Sequence, residues 1–249
     1  SFSPSQIPNV FNSHSIKPSD IIVNKDSVVI GVIGIIEMSP TPILGYASRT
    51  IFTPQERFEQ TLAQLKSVRE KIPEAVVILL DGSEDISHAM TAELAKYANY
   101  VILFKDNIEA LSYCHKSFRN KGLGEMYTTI FLLSLLKDKE FGWFCKFGGR
   151  SVLSPEFSIN PYKANCPVVK CVKWKGKLGV MALTNFYSIP RRLINHYMEH
   201  LKTWLSPNTD EPIEHVLTFF LESIKGDIKF VDRLFVEGRS GVTGIFQEL

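Results

Sequence analysis

The chain is poor in cysteine, in surplus charge and in long apolar runs. Its four cysteines (Cys114, Cys145, Cys166, Cys171) form no CxxC pair. The Cys166/Cys171 spacing has no second ligand pair, which argues against a zinc module. With 28 basic and 26 acidic residues the net charge is only +2. That balance excludes a dedicated nucleic-acid binder, which carries a marked basic excess. No apolar run reaches the ~18 residues of a spanning helix. The longest, Val28 to Ile36 and Met126 to Leu136, are too short or interrupted, so no membrane span is expected. No GxxxxGK[ST] loop is present, and no GxGxxG stands between a strand and a helix. HExxH is missing as well. His196 and His200, one helical turn apart, therefore read as residues of a surface helix. No signal peptide is visible at the start, and cysteines in or beside apolar runs fit a reducing, cytoplasmic setting, with a disulfide left open.

What is present is enough for a large core. The chain has 249 residues, 45% apolar and 11% aromatic. Residues 1–25 are rich in Ser, Pro and Asn and read as an irregular arm. The remainder, 26–249, shows no linker or internal repeat and reads as one domain. Val28 to Ile36 suits a strand buried on both faces. A loop with Pro40, Pro42 and Gly45 follows. Thr53, Pro54 and Glu56 then predict a capped helix start, with Phe58, Leu62, Leu65, Val68 and Ile72 on one face. Ala75 to Leu80 and Tyr100 to Phe104 are further strands, with a helix around Thr91 to Ala98 between them. This β-α-β-α-β order predicts an α/β fold with a mostly parallel central sheet and flanking helices. A helix over Gly124 to Lys137 and a strand over Gly142 to Phe147 follow. The second half reads as mixed: strands at Pro167 to Val172, Gly179 to Asn185 and Phe230 to Val236, and helices opened by Pro190 and Pro212.

In open parallel sheets, ligands bind at the carboxyl ends of the strands. Asp81 falls there, either as a turn residue of Asp-Gly-Ser or as an acceptor for a base or ribose hydroxyl. Asn120-Lys121-Gly122-Leu123-Gly124-Glu125 is a glycine-bearing helix start that could offer backbone N–H groups to an anion. In Phe144-Cys145-Lys146-Phe147-Gly148-Gly149-Arg150, an apolar strand runs into a glycine pair flanked by two cations. Gly148 and Gly149 permit close backbone approach, and the Arg150 fork suits phosphate oxygens. Lys146 and Arg150 could stabilise a departing diphosphate, or be solvated cations at a sheet end. Asp210, Glu211 and Glu214 cluster at a helix start; Glu214 is the preferred candidate for a general base. Arg191 and Arg192 lie in a first helical turn, unfavourable for cations, which leaves room for an anionic ligand. The glycines of 238, 241 and 244 suggest a loop closing over a site.

Together these segments resemble GT-A glycosyltransferases. Leu80-Asp81-Gly82-Ser83-Glu84-Asp85 resembles their Asp-Asp-Gly-Ser-x-Asp signature. Arg49 to Arg57, Gln60-Thr61, Ile72-Pro73, Lys121 to Glu125 and Lys146 to Arg150 are similar to a small group from large DNA viruses of algae and from bacteria, and the nearest resemblance is to a xylose-transferring member. The likeness covers about residues 28–244. It implies a single Rossmann-like domain with a donor half over about 26–150 and an acceptor half over about 151–249. It implies a nucleotide-sugar donor, with UDP-xylose leading, a glycan hydroxyl as acceptor, and for a viral protein the host cytoplasm. By the same resemblance Asp81 would contact uracil or ribose, and Arg49 and Lys121 would line the donor pocket with Gly124, Gly148 and Gly149. The chain departs from the group in lacking Asp-x-Asp near Cys145 to Phe147. Metal dependence is thus open: either no metal ligand is used and Lys146 and Arg150 replace it, or Asp81 and Asp85 hold a metal. A non-catalytic glycan-binding module on the same scaffold is the reading from another class.

Overall fold

The computed structural model describes residues 7–39, 43, 48–117, 120–176 and 179–249. Within the lead-in, Val10–Asn12 forms a strand, β1, and Pro18–Asp20 a 3-10 turn. Ile16 and Ile21 beside them are buried. The first apolar run is β2, Val28–Gly34. The loop expected around Pro40, Pro42 and Gly45 lies outside the described residues.

Helix α1 spans Pro54–Lys71 and opens on a reciprocal cap. Glu56 N–H donates to Thr53 Oγ1, and Thr53 N–H donates to Glu56 Oε1. Such a cap contributes about 1 kcal/mol. The buried face carries Arg57, Thr61, Gln64, Leu65 and Val68. It is rotated from the expected one, since Phe58 and Leu62 are only partly buried. Next come β3 (Val76–Asp81), α2 (His88–Ala95), β4 (Tyr100–Leu103) and the short α3 (Ile108–Leu111). A π-turn at Ser112–Lys116 leads towards α4, Gly122–Leu136, and β5 is Trp143–Phe147.

The second half is built from shorter pieces. They are β6 (Val152–Leu153), β7 (Val168–Val169), β8 (Cys171–Lys173), β9 (Val180–Ala182) and β10 (Phe186–Pro190). Helices α5 (Ile194–Trp204) and α6 (Ile213–Ser223) precede β11 (Lys229–Phe230), β12 (Val236–Arg239) and β13 (Phe246–Glu248). Three expectations need correction. The strand expected over Pro167 to Val172 is split: β7 joins the main sheet, while β8 pairs only with β9. The strand expected over Phe230 to Val236 is interrupted, with Phe235 at φ +57° just before β12. Pro190 closes the unforeseen β10, and a 3-10 turn at Arg191–Leu193 separates it from α5.

The main sheet has the order β1-β4-β3-β2-β5-β10-β7-β11. Neighbours from β1 to β5 run parallel, β10 is antiparallel to β5 and β7, and β11 is parallel to β7. This is the mixed α/β architecture with a mostly parallel central sheet that the sequence predicts. One face packs on α4, α5 and α6 through Val29, Ile33, Ile78 and Leu80. The other packs on α1 and α2 through Val28, Ile30, Val32, Val77 and Leu79. Gly31 faces α4, where a Cβ would stand 2.8 Å from Leu132 Cδ2. Its missing side chain lets the helix sit directly on the strand. Arg191 donates to Lys139 O (2.5 Å) and Lys137 O (2.6 Å), closing the far end of α4, and Arg192 donates to Asn165. Fold contacts thus account for these two first-turn cations.

The α4 contact has a measurable consequence. Gly31→Ala overpacks this point and should cost about 1–3 kcal/mol. Leu132→Ala should cost about 2–5 kcal/mol. The double variant should lose less than the sum, because the shortened side chain makes room for the added methyl. Urea unfolding of the three variants checks this.

Candidate functional site

Parallel strands diverge from β2 in two directions, to β3 and to β5, and the crevice between such strands is where α/β sheets hold ligands. A cavity of about 510 Å³ lies there. Its floor is formed by Gly34 at the end of β2 and Ile35 just after it, Gly82 after β3, and Lys146 with Gly149 to Ser151 at the end of β5. The start of α4 supplies Lys121, Gly122, Gly124 and Glu125, and the start of α6 supplies Asp210 and Glu214. Gly238 to Gly241 complete the wall. Gly241 O accepts the Ile51 N–H at 2.9 Å, which ties this glycine-bearing segment to the loop before α1.

The β5 turn is held in unusual backbone geometry. Gly149 lies at φ +72° and Arg150, with a side chain, at φ +51°. A left-handed non-glycine residue costs of order 1 kcal/mol and persists only where its surroundings demand it. Here Arg150 Nε donates to Gln60 Oε1 of α1 at 2.9 Å, and Gln64 Nε2 donates to Gly148 O at 3.3 Å. Burial lowers the pKa of Arg150 to about 10, so it stays charged at neutrality.

Lys146 is a different kind of cation. It is almost wholly enclosed, with 2% of its surface exposed. Its ammonium pairs with Glu125 Oε1 and donates to Thr184 O at 2.5 Å. Burial draws its pKa down, and Glu214 opposes that. Sequence reasoning treats Lys146 and Arg150 as equivalent, but the structure separates them: the Lys146 charge is already matched by acid. Gly148 leaves room for it, since a Cβ there would lie 2.6 Å from Lys146 Nζ and the ammonium would have to shift. Gly124 serves packing as well as the cavity wall; its Cβ would stand 2.9 Å from Cys114 Cα.

Lys121 stands at the cavity mouth and donates to Arg49 O at 3.4 Å. It remains open to solvent, yet crowding by the walls lowers its pKa to about 8, followed by repulsion from Arg150, Arg57 and Arg49, with Glu214 opposing. Arg57 carries no role in the sequence reading but lines the cavity. Its Nε donates to Ile35 O (2.7 Å) and its Nη1 to Thr50 Oγ1 (2.9 Å). Burial and then Arg150 push it down to about 9, against Asp81. The signal that could reveal it is the polar series Arg57, Thr61 and Gln64 on the buried face of an otherwise amphipathic helix.

Two expected donor contacts lie behind the wall. Asp81 is buried, with Oδ1 accepting the Ser83 N–H (2.9 Å) and Oδ2 the Ile36 N–H (3.2 Å). Burial raises its pKa against those hydrogen bonds. Its carboxylate thus joins the ends of β2 and β3 and does not line the cavity. Arg49 is also enclosed; Nη2 donates to Ser117 O at 2.5 Å, while Nε and Nη1 have no partner among the described residues. Burial lowers its pKa, with Cys114 opposing. Glu214 does face the cavity and accepts from Thr184 Oγ1 at 3.3 Å. Glu211 instead pairs with His215 at 3.0 Å.

The metal-binding alternative finds no ligand set. Asp81 is consumed as described, and the exposed Asp85 pairs with Lys105 at 3.4 Å. Among the described residues, no three His, Cys, Asp or Glu side chains are grouped to hold a metal ion.

No protein-family model matches the chain, and no curated protein matches it. Among solved structures, a 4-diphosphocytidyl-2C-methyl-D-erythritol synthase from Anaerococcus prevotii is 17% identical, with a TM-score of 0.46 over 82% of this chain and 86% of that one. A nucleoside-diphosphate-sugar pyrophosphorylase from Vibrio cholerae is 8% identical, with a TM-score of 0.47 over 84% and 93%. Likenesses at this level leave the cavity's chemistry to be read from its own side chains.

Lys121 gives the site a pH signature. Its pKa lies near 8, so its charge is present below that pH and lost above it. A bound polyanion favours the charged form, so binding above pH 8 draws in a proton. Calorimetric titration with inorganic pyrophosphate at pH 8.5, in buffers of differing ionisation heat, should show proton uptake. Lys121→Met should reduce it, leaving the smaller share from the other cavity cations.

Proposed function

We propose that the protein is a glycosyltransferase that moves a sugar from a nucleoside-diphosphate donor to a glycan hydroxyl. The observation that carries this reading is one cavity with three chemically distinct parts. Ile35, Met38, Gly82 and Cys114 form an apolar end near the β2 and β3 termini, suited to a nucleobase. Arg57, Lys121 and Arg150 form a cationic middle, suited to a diphosphate. Glu214 stands on the α6 side, suited to an acceptor hydroxyl.

In the proposed reaction, Glu214 takes the proton of the acceptor hydroxyl. The hydroxyl oxygen forms a bond to the sugar's anomeric carbon from the face opposite the leaving group. The bond from that carbon to the diphosphate oxygen breaks, and its electron pair leaves with the diphosphate. The charge that develops there falls on Arg57, Lys121 and Arg150, held in place before the reaction begins. The direct displacement inverts the anomeric centre. No step of the proposed reaction uses a metal ion. UDP-xylose, the donor implied by the sequence resemblance, is the first to test.

UDP should bind in a thermal-shift assay, and a UDP-sugar should turn over with a glycan acceptor in the presence of chelator. Arg150→Ala should lower kcat/KM by about 10²–10³-fold. Glu214→Gln should lower kcat with little change in UDP affinity. Full activity in Arg150→Ala, or turnover that stops on metal removal, would defeat the reading. Failure to recognise UDP at all would favour the glycan-binding module.

A further inference from the structure

A second cavity, of about 520 Å³, lies between the π-turn at Ser112–Lys116 and the loop that joins α5 to α6. The turn lines it with Ser112, Tyr113 and Lys116, and the loop with Pro207, Asn208 and Asp210. Asn120 and Asp210 line both cavities, so the second adjoins the first on the α6 side, where Glu214 stands.

The walls of this second cavity are fixed by hydrogen bonds. Asn120 is buried, and its Nδ2 donates to Thr209 O at 3.0 Å and to Glu211 O at 2.8 Å, which ties the start of α4 to the loop. Ser117 Oγ donates between Asn120 O at 2.8 Å and Tyr113 O at 3.0 Å, which ties the turn to the same point. The Tyr113 ring stacks on Tyr127 of α4 with centroids 5.6 Å apart, so its position is set as well. Among the described residues, no hydrogen bond or ion pair takes up the Ser112 hydroxyl, the Lys116 ammonium or the Asn208 side-chain amide.

We infer that this second cavity is a saccharide subsite, which holds the glycan acceptor while one of its hydroxyls reaches Glu214. The inference rests on the transferase reading above and adds to it the place of the acceptor. The first cavity, at about 510 Å³, is in the range for one small ligand, and the donor's base, diphosphate and sugar take it up. A glycan longer than its reacting ring has to leave that space, and the second cavity adjoins it beside the candidate base. The lining suits a sugar. An aromatic ring offers a flat surface to the C–H face of a pyranose, and a hydroxyl, an amide and an ammonium offer hydrogen bonds to its rim.

The test is ligand-observed NMR on the full chain with methyl glycosides of xylose, glucose, galactose, mannose, rhamnose and glucuronic acid. Each has about a dozen heavy atoms and binds in the millimolar range where it binds at all. At least one should bind saturably, and should stay bound when UDP is added. Tyr113→Ala should weaken that glycoside about 5–10-fold. Asn208 is exposed, so Asn208→Trp fills the cavity without touching the core and should abolish glycoside binding even where Tyr113→Ala fails to fold. Its UDP affinity should stay within about twofold of the parent's. The inference is overturned if none of the glycosides binds, if UDP displaces the one that does, or if Asn208→Trp leaves its binding intact. UDP binding decides the transferase reading and glycoside binding decides this one. A protein that takes UDP and no glycoside keeps its donor site and loses the subsite; one that takes glycoside and no UDP does the reverse.

Discussion

Crowded positive charge is the constraint on which this site depends. Arg57, Lys121, Lys146 and Arg150 share one cavity in a protein whose net charge is only +2. Burial pushes all four pKa values down, and repulsion from neighbouring arginines adds to this at Arg57 and Lys121. Two devices keep the arrangement stable. Glu125 matches the most deeply buried of the four, and backbone carbonyls and Gln60 hold the others in fixed directions. What remains is positive potential without a matching carboxylate on each cation, and an anion in the cavity relieves the repulsion.

That arrangement explains why the strand ends are built as they are. At the end of β5 the chain has a lysine, two glycines and an arginine. The one acid at the end of β3 is spent on joining two strands. The cavity's cations are held by the fold itself. Their positions are set by packing against α1 and α4, so the geometry exists before any ligand arrives.

Much of the first half was legible in the sequence because its signals are local. The β2 run, the Thr53/Glu56 cap and the β3 run each declare themselves within ten residues. The second half was not, because its strands are defined by distant partners. Phe186–Pro190 falls between a strand expected to end at Asn185 and a helix expected to open at Pro190, yet it is inserted antiparallel between β5 and β7. Of the candidate site, Lys121, Gly124, Lys146, Gly148, Gly149, Arg150 and Glu214 fall in one neighbourhood. Asp81 and Arg49 lie just behind its wall, since a motif places a residue at a strand end without saying which way its side chain turns. Arg57 and Glu125 went unassigned because their significance comes from partners well removed in the chain.

The wall formed by Gly238 to Gly241 comes from residues that follow nearly every other part of the cavity in the chain, and it is tied to Ile51 near the beginning. The hairpin of β12 with β13 pairs with β6, which fixes that wall in place. Cleavage between α6 and β12 would therefore leave an open basic trough.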